Sequence, residues 1–343
     1  DALTSGDSNI AIGYNAMTGA TTGSNNTVVG KDAAAGATMT GSDNTFMGKD
    51  AGQAITSAAN NVIVGSAAGI AVTTGGNNVV VGMEAGGALT SGTENVAVGF
   101  QAMKLVTTAS SNVAIGNEAL ENNVAAENVA VGTKALRANT SGTQNVAVGT
   151  EALKTMTTTE GQTAVGWKAL ELSVGNYNTA IGTECMNDAT GAGNCTGVGY
   201  HALRLLTTGA QNTALGMQAL YSNTDGARNL AIGYNAYSSS NSENDNLAIG
   251  FDAMTTNTAG GTGNVAVGNY AMDELTSGDY NTAIGFSSMH KLTTGLRNTG
   301  IGYLGGQFIT TGDDNVCING GPALTTGDKN VMVGYQSGNN TQD

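Results

Sequence analysis

A four-residue apolar phrase closed by glycine returns along the chain at nearly constant spacing: NVAVG at 95–99 and 145–149, QTAVG at 162–166, NTAIG at 281–285. With the leading Asn as anchor, the units start at 9, 26, 44, 61, 78, 95, 112, 128, 145, 162, 178, 195, 212, 229, 246, 264, 281, 298, 315 and 330. The spacing runs from 15 to 18 residues and is most often 17. The anchor is Asn9, Asn26, Asn44, Asn61, Asn78, Asn95, Asn112, Asn128, Asn145 and so on to Asn330, with Gln162 and Cys195 as the exceptions. The residue after it is Val, Ile, Leu or Thr, the third is aliphatic or Met, and a mostly small residue stands between them. Gly follows in every unit but one, where Asn319 takes the place and Gly320 reads as a one-residue slip. Three residues past the Gly comes a small residue, usually Ala, then Leu, Met or Gly. A TTG or TSG turn precedes many of the anchors, as at 73–75, 90–92 and 293–295.

Alternating β-branched residues predict a short strand, and its two apolar faces predict burial on both sides. The Gly suits a sharp bend or a left-handed backbone. The Ala-Leu stretch predicts a second short strand, so each unit reads as strand, bend, strand, turn. One such unit cannot bury its own apolar face, whereas stacked copies can. The prediction is an all-β parallel β-solenoid or β-roll of about twenty coils, a single continuous repeat domain over 1–343. At ~4.8 Å per coil it would be a rod of about 90–100 Å, with the Asn anchors stacked as a ladder of amides. Leucine-rich repeats and propeller blades need longer periods, and the GGxGxD of calcium-binding rolls is missing. A coil this thin encloses one row of small side chains. The other strand face then needs a cover, and another copy of the same surface provides one. A parallel homo-oligomer is therefore expected.

Composition supports this picture and excludes others. There are 52 Gly, one Pro and only 11% charged residues, with few aromatics. A net charge of −14 argues against nucleic acid and anionic membrane surfaces as partners. No apolar run reaches the ~20 residues of a membrane span. Asp1 opens the chain without an initiator Met or signal-peptide pattern, as expected of a processed product or a piece of something longer. Cys185, Cys195 and Cys317 form no CxxC pair.

Phrases such as NVAVGFQAM (95–103), NTALGMQAL (212–220) and NTAIGFSSM (281–289) resemble repeats of phage and bacterial tail-fibre proteins and, more distantly, the head repeats of trimeric autotransporter adhesins. The resemblance spans essentially the whole chain. It implies a left-handed parallel β-roll, three chains to a fibre, and a fibre that carries or contacts a receptor. The chain departs from the adhesin heads in its longer period with an extra Thr/Ser-Gly turn, and it has no recognisable coiled-coil stalk or membrane anchor.

Catalysis has little support: His201 and His290 are far apart in sequence and sit at outward positions. Asp32, Asp50, Glu84, Glu118, Glu151, Glu184 and Asp252 share one column, read as a solvated edge that resists lateral aggregation. Asp7, Asp43, Asp245, Asp313 and Asp314 lie at turns, where Asp bonds local backbone. No metal or cofactor is expected. The residue after the Gly is aromatic in nine units: Tyr14, Phe100, Trp167, Tyr200, Tyr234, Phe251, Phe286, Tyr303 and Tyr335. These rings either stack on sugar rings or cover the bend and seal contacts between protomers. The turn hydroxyls offer O-glycosylation sites, and Asn25, Asn139, Asn194 and Asn339 begin Asn-x-Ser/Thr sequons. The functional expectation is a structural and adhesive fibre segment, extracellular or on a virion surface, that presents or contacts a surface polysaccharide. The alternative is a self-assembling extracellular filament, polymerised end to end and glycosylated, with a mechanical or protective role.

Overall fold

The computed structural model describes residues 4–36, 38–256, 260–321 and 323–338. The chain divides into two compact units, Asp1–Glu171 and Leu172–Asp343. The first holds ten strands, from β1 (Ile10–Ile12) to β10 (Thr163–Val165). The second holds ten more, from β11 (Thr179–Ile181) to β20 (Val331–Val333). Within each unit every strand pairs in parallel with the next, and equivalent repeat positions face each other. Val96 lies against Val113 in the first unit and Val265 against Thr282 in the second. Both units are parallel β-solenoids, and among the described residues there is no helix.

Each coil carries one three-residue strand, not two. The residues on either side of the conserved Ala adopt left-handed backbone, as at Glu118 (φ 53°) and Leu120 (φ 49°) or Glu151 (φ 61°) and Leu153 (φ 50°). An extended strand cannot contain them. They turn successive amides up and down the coil axis, so one reaches the coil before and the other the coil after. Glu151 N–H donates to Thr133 O and Leu153 N–H to Ala169 O. The strain of these left-handed residues, ~1–2 kcal/mol each, is offset by that bonding and by burial. Ala152 and Leu153 are fully buried, and enclosing a Leu side chain is worth about 1.5–3 kcal/mol.

The strand itself is buried on one side only. Its middle residue, such as Ala97, Ala147 or Ala231, points inward and is buried, while its two neighbours remain partly open to solvent. The Gly that ends it is required twice over. At Gly216 φ is +138°, and a Cβ there would stand 2.3 Å from Gly233 O of the next coil. No other residue fits such a conformation at such an approach.

The Asn anchors are buried and bonded from coil to coil. Asn78 Oδ1 accepts the Asn95 backbone N–H (3.0 Å) and the Asn95 amide (3.1 Å), while Asn78 Nδ2 donates to Gly92 O (3.0 Å). The pattern recurs in the second unit from Asn281 to Asn298 and on to Asn315. Gln162 keeps the backbone bond to Asn145 Oδ1 (3.0 Å), and its longer amide also donates to Thr159 Oγ1 (3.3 Å). At Cys195 the thiol donates towards Gly209 O (3.4 Å), and the Asn212 N–H meets sulfur where elsewhere it would meet oxygen. The turn threonines form a second ladder, with Thr56, Thr73 and Thr90 hydroxyls donating to the carbonyls of Thr73, Thr90 and Thr107.

The irregular unit at 315–329 is shortened by two residues, not slipped by one. Asn319 keeps the bend position, its N–H donating to Ile301 O, and Gly334 N–H donates to Ile318 O as a regular bend residue does. Gly320 then takes the place of the conserved buried Ala, accepting from Gly306 N–H, and Gly321 takes the next place, donating to Ser337 O. The two outward positions between bend and Ala are missing, which accounts for the local spacing of 15 residues.

Candidate interaction surface

Because side chains alternate across a strand, the first and third residues of every strand share the outward face. In all twenty strands they are Val, Ile, Leu, Thr or Met, and none is charged. The chain carries a net −14 elsewhere, so in each unit the face is an uncharged apolar stripe. Ile115 and Val148 in the first unit and Ile181, Leu215 and Ile284 in the second are exposed on it.

The aromatic column runs beside this stripe, one residue past the Gly. In the first unit its rings stand apart. Lys31 Nζ lies 5.9 Å from the Tyr14 ring centroid and Lys168 Nζ 5.0 Å from that of Trp167. In the second unit the rings are brought together. Tyr234 stacks on Phe251 (5.2 Å), Phe251 meets Tyr270 edge-on (5.4 Å), Tyr270 meets Phe286 edge-on (5.8 Å), and Phe286 stacks on Tyr303 (5.7 Å). Rings stacked along the axis turn faces to each other and edges outward. The stacked faces are thereby used, which favours covering the bend over sugar stacking within this run. Tyr270 was not legible as a member, because Asn269 fills the column in its coil and the ring reaches across from the next position. Tyr200 stacks on His201 of its own coil at 3.7 Å.

Most members of the acidic column are ion-paired. Glu84 pairs with Lys104 (2.8 Å), Glu118 with Arg137 (2.9 Å), Glu151 with Lys154 and Lys168, and Glu184 with Arg204 (2.8 Å). The Lys104 ammonium beside Glu84 and the Arg204 guanidinium beside Glu184 hold these carboxyls below the usual range. His201 Nε2 also lies 2.8 Å from Glu184. His290 pairs with Asp273, whose partial burial raises its carboxyl above the ordinary value. Among the described residues neither imidazole is placed against a nucleophile, and each lies against a carboxylate of the preceding coil.

At the turns, Arg228 grips Asp245 through two bonds (2.6 and 2.8 Å) and Arg297 grips Asp314 likewise. Among the described residues no three His, Cys, Asp or Glu side chains gather as a metal site. The sequon residue Asn139 is buried and bonded to Asn123 Oδ1 and Gly142 O, whereas Asn25 and Asn194 are exposed. Asn339 lies outside the described residues. The three cysteines are free and buried; burial pushes Cys185 up to about 12 and Cys317 to about 11, so neither is a ready nucleophile. An open depression of about 320 Å³ lies where Gly87 and Ala88 leave room between Ile70 and Leu105, with Glu84 and Lys104 in its lining.

No known family model and no curated protein matches the chain. Among the described residues no helix is long and apolar enough to cross a membrane.

Proposed function

We propose that the chain is a structural segment of a fibre of the tail-fibre or adhesin type, extracellular or on a virion surface, in which three copies pack side by side about a common axis. The observation that carries this reading is the uncharged outward strand face, which runs through ten strands in each unit. Soluble monomers rarely leave so continuous an apolar stripe bare. A second copy matches it because its coils have the same spacing, so apolar rows meet in register while the charged ladders stay outside. The aromatic, charged and polar columns that remain exposed are then the surface that meets a surface polysaccharide. Catalysis forms no part of this reading.

Sedimentation of the purified chain tests it. Discrete trimers, reduced to monomers by Val148→Lys together with Ile181→Lys, are the expected result. A monomer at all concentrations would sink the proposal, and filaments of indefinite length in electron micrographs would favour the mechanical or protective filament instead.

A further inference from the structure

The two-residue shortening at 315–329 removes one step from the outward aromatic column. Tyr303 stands in that column one coil before the gap and Tyr335 one coil after it. One face of Tyr303 is covered by Phe286; the coil that would cover the other has no residue at that height. Tyr303 is 70% exposed, against 46% for Phe286 inside the run, and Tyr335, which belongs to the final coil, is 87% exposed. Two coil steps separate the tyrosines, about 9–10 Å at ~4.8 Å per step. A flat ring lying midway would sit about 4.8 Å from each, within the range over which rings stack.

The surroundings are uncharged and polar. The Asn319 amide oxygen lies over Gly302, 1.8 Å from where a Cβ would be, so it forms part of the floor. Gln336 Nε2 donates to Tyr335 Oη (3.3 Å) at the rim, and Leu304 stands beside Tyr303. Tyr303, Leu304, Asn319, Tyr335 and Gln336 carry no charge, in a chain whose net charge is −14. We propose that this notch is a binding subsite for one neutral hexopyranose ring of a glycan, its apolar faces held between the two tyrosines and its hydroxyls met by the Asn319 and Gln336 amides. The pyranose combines the two things the notch offers, an apolar slot one ring thick and uncharged hydrogen-bonding groups around it. The inference deepens the surface-polysaccharide part of the fibre reading and names the place of contact. The stacked run from Tyr234 to Phe286 lacks such a gap and binds no sugar in this way.

Saturation-transfer NMR on the full chain, with methyl glucopyranoside, methyl galactopyranoside, methyl mannopyranoside and N-acetylglucosamine as probes, tests the notch. At least one is expected to bind, at least tenfold more weakly to Tyr303→Ala and Tyr335→Ala, with Tyr303→Phe retaining binding. Inserting Phe-Ser between Asn319 and Gly320 restores a full-length coil and keeps both tyrosines; it should abolish binding. Circular dichroism reports whether each variant keeps its fold. No response to any saccharide, or a response that survives the insertion, would overturn the assignment. A stronger response to N-acetylphenylalaninamide than to any sugar would overturn it in favour of a protein side chain. Oligomeric state is read separately, so a trimer with an empty notch removes this inference and leaves the fibre reading standing.

Discussion

The two units are built on the same interior and dressed with different surfaces. In the first, the columns around the bend carry ion pairs such as Glu118–Arg137 and Glu151–Lys168, and Tyr14 and Trp167 each stand beside a lysine. In the second, five rings from Tyr234 to Tyr303 touch in sequence and end at a notch. The buried middle residue, the bend Gly and the anchor meet identical constraints in both, because each must fit a copy of itself one coil away. Outward columns meet only solvent or a partner and are free to differ. The core therefore determines the architecture, and the surface is where the two units diverge.

The equivalence of the interiors is most directly broken at the bend. Gly99→Val in the first unit and Gly216→Val in the second should each cost about 3 kcal/mol or more, through backbone strain plus a clash with the next coil's carbonyl. Hydrogen exchange read coil by coil should show equal loosening in the two units; a tolerant unit would refute a shared core.

Next in size is the amide ladder. Asn112→Leu leaves the Asn128 N–H without its partner, at ~1–3 kcal/mol for the bare group, and takes from the Ala125 carbonyl one of its two donors, the Asn123 amide remaining. Cys195→Asn should move the other way, by about 1 kcal/mol, as the Asn212 N–H exchanges sulfur for oxygen. Urea midpoints for the pair measure both. Loss of stability in Cys195→Asn would mean that the cavity there has been fitted to sulfur.

The surface difference itself should register more weakly. Tyr270→Ala removes two edge contacts and should cost about 1–2 kcal/mol. Trp167→Ala gives up one half-exposed ring over Lys168, about 0.5–1 kcal/mol. Thermal midpoints in which the two variants match would show that the ring ladder adds nothing beyond single rings.

Smallest is the effect of acid. Glu84, Glu151, Glu184, Asp245 and Asp314 have folded-state values below their ordinary 4.5 and 3.8. Their stabilisation is complete above those ordinary values and is lost as pH falls through the lowered ones. Asp273 is raised and works in the opposite sense, its ionisation costing stability above its ordinary 3.8. Asp245 is exposed and the other lowered groups are half-buried at the surface, so solvent screening keeps the sum small. A midpoint that drops modestly from pH 5 to pH 3, and less so in high salt, is expected. A rise across that range would reverse the sign argued here.

The solenoid was legible because a stacked repeat writes its packing constraints into columns. Anchors from Asn9 to Asn330, and the Gly four residues on, already state which atoms must meet. The second strand was misread because the left-handed residues leave a mixed signature. Asn15 and Asn235 in the column before the Ala belong to a type that tolerates this conformation. Glu118, Lys134 and Tyr270 in the same column do not announce it. The notch was hidden for a related reason: Gly320 and Gly321 resemble a displaced bend, and only the hydrogen-bond partners of Gly306 and Ser337 show that two positions are gone. The aromatic column was visible as a list of residues, but whether its rings touch depends on Tyr270, which lies outside it.

The bonds that join one coil to the next have a mechanical meaning. Within a unit the strand bonds, the Asn amides and the Thr hydroxyls all link neighbours along the axis. Tension applied to the free end of a coil bears on that coil's own bonds before any others. A single chain under tension should yield in small steps, each paying out one coil, about 60 Å of extended chain at ~3.5 Å per residue. Copies packed side by side through the strand face would share the load among three such coils at every level. On this reading, lateral packing turns a structure that peels into one that must be sheared.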